Sequence, residues 1–188
     1  MGHIIITGTG RAGTTFLVQL YTLLGFDTGF KNIKDGVHNN CNAGMEINPF
    51  RTSNMPYIIK NPVLCDRLDE FIEKGNKVDK VIIPIRDIDS ATMSRIKVQG
   101  KSEEGVKGGL WCTNNADEQK TILLEKFYKL MFSISKHNLP HIFILFPKMI
   151  NDPKYLYKKL FNGIIRIDTF KKNFYKIADP KLVSRFKD

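Results

Sequence analysis

The sequence has no long run of apolar residues. Its apolar stretches at 4–6, 16–26 and 142–147 are short or interrupted by polar residues, whereas a helix that crosses a bilayer needs roughly 20 apolar residues. Residues 1–15 contain neither a basic n-region nor a small-residue cleavage site after a longer apolar run. We therefore predict no membrane anchor and no signal peptide, and we expect a cytoplasmic protein.

Cysteine is also scarce. The chain has 3 cysteines, Cys41, Cys65 and Cys112, and they form no C-x-x-C pair. An odd number of thiols without paired spacing argues against a disulfide framework and favours a reducing compartment. We expect these residues to be core or bystander thiols.

Positive charge is in clear excess. The 188 residues include 29 Lys plus Arg and 19 Asp plus Glu, which gives a net charge of +10. Such a field favours anionic partners such as phosphates, sulfates, acidic glycans or nucleic acid. Nucleic acid ranks last, because no recognition motif is present and the aromatic residues fall mostly at core-like spacings. We expect neither a nucleic-acid partner nor a membrane partner.

The hydrophobic pattern alternates between strands and helices. With 42% hydrophobic residues, the chain can build one core, and its length predicts a single domain over 1–188. The alternation predicts an α/β fold of three layers, a mostly parallel β-sheet with helices on both faces. The predicted strands are 3–7, 57–60, 78–85 and 141–146, and the predicted helices are 14–24, 64–75, 87–98, 117–136, 152–161 and 168–177.

Two polar segments, 27–56 and 99–114, follow neither the strand period nor the helix period. Loops of this length in a compact domain are usually functional or mobile. The first segment is a candidate lid or substrate loop. Substrate specificity is expected to reside in both segments.

The glycine-rich segment from Gly8 to Thr15, GTGRAGTT, follows the first strand and precedes the first helix. Backbone N–H groups and the helix dipole converge on an anion at such a junction, which predicts a phosphate-type site. The glycines at 8, 10 and 13 fit the dinucleotide pattern G-x-G-x-x-G, but no second strand precedes Asp27 to carry that acid to a ribose. The segment also fits G-x-x-x-x-G-K-[ST], with Thr14 in place of the lysine that holds a nucleoside triphosphate.

A third interpretation keeps the phosphate cradle and adds Arg11 inside it. The stretch from Gly8 to Leu17, GTGRAGTTFL, resembles the 5′-phosphosulfate loop of sulfotransferases, which bind 3′-phosphoadenosine 5′-phosphosulfate (PAPS) on a P-loop-like fold. The chain is similar to small bacterial and phage-type members of this family. The donor-binding residues that the resemblance implies in this loop are Gly10, Arg11, Ala12, Gly13, Thr14 and Thr15.

Two further segments carry the resemblance. Arg86 ends the third strand and Ser94 follows eight residues later, an arrangement similar to the family's 3′-phosphate site. The segment YIIKNP, which contains Lys60, is similar to the strand in which the family carries a lysine before Ser-Pro or Thr-His. The resemblance implies that Lys60 acts on the bridging oxygen as it leaves, with Arg11 as a second cation at the reacting centre. The chain departs from the family in carrying Arg11 where many members have Lys, and Ala12 where many have Ser.

The general base must come from elsewhere, because Asn61-Pro62 replaces the Thr-His of the cytosolic pattern. Glu46 is the predicted base, since it lies in the region where carbohydrate-type members place a Glu. His38, in the same loop, is the alternative, because its unperturbed pKa is near neutral. No metal is expected, because Arg11 and Lys60 can supply the positive charge that Mg²⁺ supplies for triphosphates.

The resemblance implies a PAPS-dependent sulfotransferase that acts on a hydroxyl or amine of a small-molecule or glycan acceptor and releases the desulfated product PAP. Two alternatives remain: a nucleotide or small-molecule kinase on the same fold, and a non-catalytic module that binds PAP or a polyanion. Arg95 is predicted to be solvated. Trp111 is predicted either to pack against the core or to stack on an adenine or acceptor ring.

Overall fold

The computed structural model describes residues 2–38, 41, 43–99 and 108–183. The strands in these ranges are β1 (His3–Ile6), β2 (Val37–His38), β3 (Ala43–Gly44), β4 (Ile58–Lys60), β5 (Val78–Ile85) and β6 (His141–Leu145). The helices are α1 (Thr14–Leu23), α2 (Leu64–Glu73), α3 (Ile88–Gln99), α4 (Gln119–Lys136), α5 (Lys148–Asn151), α6 (Pro153–Leu156) and α7 (Ile167–Ile177). Short 3₁₀ turns cover Ala116–Glu118 and Pro180–Leu182, and a π-type turn covers Tyr157–Phe161.

Four strands form one sheet in the order β4-β1-β5-β6, and every pair in it is parallel. Ile5 of β1 pairs with Ile59 on one side and with Val81 on the other. The chain passes from β1 to β4 on one side and then to β5 on the opposite side, so the direction of strand addition reverses at β1. Open parallel sheets bind ligands outside the carboxyl ends of the strands at such a reversal. At that edge lie Lys60, Arg86 and the glycine-rich segment 8–15, called the glycine loop below.

Both faces of the sheet are covered by helices, which confirms the predicted α/β architecture. Successive side chains of a strand point to opposite faces, and the isoleucines of β1 show this directly. Ile6 belongs to a core with α1 and the helices α5, α6 and α7, whereas Ile5 belongs to a second core with α2 and α4. Packing on both sides of the sheet therefore anchors β1, the strand that leads into the glycine loop.

Most predicted boundaries agree with the structure within a few residues. Ser90 N donates to Asp87 Oδ1 at 2.8 Å, so the side chain of Asp87 caps the N-terminus of α3. The predicted helix over 152–161 is found as α6 followed directly by the π-type turn Tyr157–Phe161, whereas the short helix α5 before it was not predicted. Asp152 separates α5 from α6 and is extended because it precedes Pro153.

The loop 27–56 contains the antiparallel pair β2–β3, which sequence periodicity did not reveal. Within the predicted loop 99–114, residues 100–107 lie outside the described ranges. None of the described helices is long and apolar enough to cross a membrane.

Gly13 and Gly25 lie at the two ends of α1 and both have left-handed backbone, with φ of 80° and 83°. A Cβ at Gly13 would lie 2.2 Å from Met149 Cε and 3.1 Å from the Phe146 ring, whereas a Cβ at Gly25 would meet nothing within 4 Å. We expect Gly13→Ala to lower the free energy of unfolding by about 1–3 kcal/mol more than Gly25→Ala. An alanine at either position has a strained left-handed backbone, but only the alanine at position 13 also overpacks the core. Urea unfolding of the two variants measures this difference. Equal losses would show that the loop does not depend on its packing against Phe146 and Met149.

Candidate functional site

A cavity of about 400 Å³ lies at the carboxyl edge of the parallel sheet. Small-molecule sites have volumes of this order and combine apolar walls with a few polar groups that orient the ligand. The polar part of the wall includes Gly10, Arg11, Gly13, Thr14, Thr15, Gln19, Glu46, Lys60, Arg86, Arg95 and Asp179. The apolar part includes Phe16, Val37, Val63, Leu110, Trp111, Phe146, Ile150, Ile177, Leu182 and Val183.

The glycine loop turns sharply between β1 and α1. Gly10, Arg11 and Gly13 have φ values of 75°, 54° and 80°, a region that glycine enters freely and other residues enter at a cost. Gly13 is the N-cap of α1, and no side chain caps the helix there. The N–H groups in the first turn of α1 therefore have no intrahelical partner, and together with the helix dipole they favour an anion.

Arg11 ties the glycine loop to two other segments. Its Nε donates to Ser94 Oγ at 3.0 Å, and its Nη1 donates to the carbonyl oxygen of Cys41 at 2.7 Å. Partial burial lowers the pKa of the Arg11 guanidinium, which still leaves an arginine charged at neutral pH. A cation is thereby fixed within the loop, at the wall of the cavity.

Lys60 and Glu46 form an ion pair at the same wall. Lys60 Nζ lies 2.8 Å from Glu46 Oε1 and donates a second hydrogen bond of 2.9 Å to the carbonyl oxygen of Gly44. The side chain of Lys60 is 2% exposed and that of Glu46 is 30% exposed. The ammonium is therefore sheltered from solvent, while the carboxylate remains accessible from the cavity.

The β2–β3 pair explains how Glu46 reaches Lys60. Gly44 passes so close to Gly36 that a Cβ at position 44 would lie 1.9 Å from the Gly36 carbonyl oxygen. Met45, which is fully buried, donates from its N–H to the same oxygen at 3.0 Å. Ile47 N then donates to the carbonyl oxygen of Lys60 at 3.1 Å. These contacts hold the turn that carries Glu46 against the end of β4.

Arg86 supports the glycine loop from the end of β5. Its Nη1 donates to the carbonyl oxygen of Arg11 at 2.9 Å, and its Cζ lies 5.1 Å from the centre of the Phe146 ring. Burial, with repulsion from Arg11 as a second cause, lowers the pKa of the Arg86 guanidinium. Arg86 also lines the cavity, so it is placed both to stabilise the loop and to meet a ligand.

The prediction that the side chain of Arg95 is solvated is wrong. Arg95 is 5% exposed and lines the cavity. Burial and repulsion from Arg11 lower the pKa of Arg95 to about 10, so it is charged at neutral pH. Helix α3 buries Ala91, Arg95 and Val98, and this i, i+4, i+7 spacing is the signal that could have identified Arg95 from the sequence.

Positive charge dominates the part of the cavity wall that the structure describes. Four cations, Arg11, Lys60, Arg86 and Arg95, stand against two carboxylates, Glu46 and Asp179. Buried charge is costly unless it is neutralised, so this wall favours a ligand with several negative charges. In the ranges that the structure describes, no group of three or more His, Cys, Asp or Glu side chains is placed to hold a metal ion.

Three predicted site residues are not among the described residues that line the cavity. Ala12 is 1% exposed and belongs to the apolar core beneath the loop. Ser94 is 1% exposed and accepts the hydrogen bond from Arg11, so it positions that arginine. His38 ends β2 with an exposed side chain. Ligand contacts at these three positions stay predictions.

The chain has no match among protein-family models, curated proteins or solved structures. The resemblance to sulfotransferases therefore rests on the sequence motifs alone. Eight of the predicted site residues line one cavity although they come from four segments: Gly10, Arg11, Gly13, Thr14, Thr15, Glu46, Lys60 and Arg86.

Proposed function

We propose that this protein transfers a sulfuryl group from PAPS to a hydroxyl or amine of a small-molecule or glycan acceptor. The observation that carries the proposal is the convergence of the glycine loop, the Lys60–Glu46 pair and Arg86 on one cavity. PAPS carries a phosphate on the 3′ oxygen and a phosphosulfate on the 5′ oxygen of its ribose, and these groups offer the negative charge that the cations of the wall favour. The sequence motifs that contain these residues are also the ones that resemble sulfotransferases.

The donor would bind along the glycine loop. The N–H groups at the start of α1 and the guanidinium of Arg11 would hold the 5′-phosphosulfate by charge-assisted hydrogen bonds. Arg86, at the end of the neighbouring strand β5, would meet the 3′-phosphate. Lys60 would donate to the bridging oxygen, where negative charge develops as sulfur departs, and such differential stabilisation lowers the barrier.

In the transfer step, the acceptor atom forms a bond to sulfur while the bond between sulfur and the bridging oxygen breaks. The electron pair of that bond stays on the bridging oxygen, and PAP leaves with it. Glu46 takes the proton that the acceptor loses. Because Glu46 Oε1 is held by Lys60 at 2.8 Å, Oε2 is the oxygen that would accept this proton. One ion pair would thus place the base and the leaving-group donor side by side.

Thermal stability in the presence of ligands tests the proposal against its alternatives. PAP should raise the Tm of the full chain with increasing concentration and without added metal, because a ligand that binds only the native state stabilises it. Mg·ATP should give a smaller shift at the same concentration. A shift with Mg·ATP alone would favour a kinase. PAP binding without turnover of PAPS across a panel of hydroxyl and amine acceptors would favour a non-catalytic module.

The Arg86→Ala variant tests the assignment of the 3′-phosphate. We expect it to weaken PAP binding by about 1.5–3 kcal/mol, the range for a hydrogen bond to a charged group. Isothermal calorimetry measures the change, and Arg51→Ala is the matched control, since it removes one positive charge at an exposed position. Equal PAP affinity in the wild type and in Arg86→Ala would remove Arg86 from the donor site.

A further inference from the structure

Arg95 connects the glycine loop to another part of the cavity wall. Its Nη2 donates to the carbonyl oxygen of Thr9 at 2.6 Å, and its Nη1 donates to that of Gly109 at 2.8 Å. A Cβ at Gly10 would lie 2.5 Å from Nη2, so the loop approaches the guanidinium more closely than a side chain at position 10 would allow. The loop backbone thus rests directly on Arg95.

The segment 108–112, called the strap below, is held by side chains that bond to its backbone. Besides Arg95, Gln99 Oε1 accepts from Leu110 N at 3.3 Å. Gln119 Oε1 accepts from Trp111 N at 2.5 Å, and Gln119 Nε2 donates to the Trp111 carbonyl oxygen at 3.4 Å. Leu110 and Trp111 line the cavity. The positions of these side chains therefore set the shape of the wall.

Among the residues that the structure describes, no neighbouring carboxylate neutralises the charge of Arg95. Arg95 forms no salt bridge with any residue that the structure describes, and its buried Nε has no hydrogen-bond partner there. The Trp111 ring, 5.0 Å from Cζ, offers only a cation–π contact. An unpaired buried charge costs free energy, and an anion bound in the adjacent loop would recover part of it.

We propose that Arg95 is a positioning residue that couples the presence of an anion in the glycine loop to the position of the strap. A bound anion attracts the guanidinium, and the hydrogen bond from Nη1 moves Gly109 with it. The wall that contains Leu110 and Trp111 is then completed after the donor binds, so a second substrate meets its final shape only in the loaded protein. The coupling rests on the anion-binding part of the proposed function.

Arginine is specifically required for this coupling. Its planar guanidinium presents donors in a fixed fork, which reaches the carbonyl oxygens of Thr9 and Gly109 together. Lysine would keep the charge but carries one ammonium on a flexible stem. The Arg95→Lys variant therefore separates the charge of Arg95 from its link between the loop and the strap.

Trp111 provides a direct measurement, because it is the only tryptophan in the chain and lies in the strap. Acrylamide quenching of its fluorescence is recorded on the full chain alone, with PAP and with inorganic pyrophosphate. In the wild type, the quenching constant should fall as either anion saturates the site. In Arg95→Lys it should start closer to the value of the unfolded protein and change little with anion, although calorimetry still detects anion binding. Lys97→Arg, at an exposed position of α3, should behave as the wild type.

Two results would overturn the coupling: anion binding to the wild type without a change in Trp111 quenching, and a wild-type response in Arg95→Lys. If Arg95→Lys does not fold, amide hydrogen exchange of the wild type decides, because the Leu110 and Trp111 amides should exchange more slowly with anion bound. Unchanged exchange would also overturn the coupling. A Trp111 response to pyrophosphate without PAP binding would support the coupling and contradict the sulfotransferase proposal. No binding of either anion would contradict both.

Discussion

Replacing Lys60 with methionine is expected to lower kcat for sulfuryl transfer by about 10²- to 10³-fold, the usual loss when one donor to a developing negative charge is removed. Methionine has similar length and is apolar, so it suits a side chain that is 2% exposed. Glu46 loses its partner but is 30% exposed and can be solvated. The KM for PAPS should change much less than kcat, because the lost interaction is made mainly in the transition state.

The measurement is release of PAP from PAPS, with water or an acceptor found by screening as the second substrate. Lys80→Met is the matched control, because it removes a lysine from the exposed part of β5. It should leave both kinetic constants close to those of the wild type. If Lys60→Met stays within about twofold of wild-type turnover, which corresponds to only ~0.4 kcal/mol of barrier, Lys60 has no part in the chemical step.

Glu46→Gln is expected to reduce transfer by about 10²- to 10⁴-fold, the range for loss of a general base. The glutamine amide oxygen can still accept the hydrogen bond from Lys60 Nζ, which spans 2.8 Å in the wild type. The variant therefore removes basicity while retaining the contact that positions Lys60. PAP binding, measured by calorimetry, should survive while transfer is lost.

His38→Asn is the control for this experiment, because His38 is the alternative base in the same loop. Its side chain is exposed, and it is not among the described residues that line the cavity. We therefore expect His38→Asn to retain most activity. The opposite result, active Glu46→Gln and inactive His38→Asn, would assign the proton to His38.

The positions of the strand-end residues could be predicted from the sequence because they follow from local rules. Parallel strands joined by helices bring their carboxyl ends to one edge, so the glycine loop, Lys60 and Arg86 had to lie near one another once each strand was recognised. The β-branched run before Gly8 and the strand Val78–Ile85 were both clear from short-range patterns. The prediction of the glycine loop and of two cations at the same edge, Lys60 and Arg86, therefore required no knowledge of tertiary contacts.

The Lys60–Glu46 pair was predicted only as two separate residues. Its 2.8 Å contact depends on the β2–β3 turn, where Gly44 closes against Gly36 and Ile47 binds the end of β4. These contacts join segments that carry no periodic pattern. A sequence pattern reports which residues share a helix face or a strand face, but it does not report how an irregular loop folds back on a sheet.

Arg95 is the clearest case of a residue whose helix could be predicted from the sequence but whose burial could not. The sequence determined its helix and, through Ala91 and Val98, the buried face on which it lies, yet an arginine is usually solvated because burial of its charge is costly. The burial of Arg95 could not be predicted from the sequence, since the carbonyl oxygens of Thr9 and Gly109 that bind the guanidinium come from two distant loops. Local order in this protein follows from short-range sequence patterns, whereas the pairing of its charges follows from long-range packing.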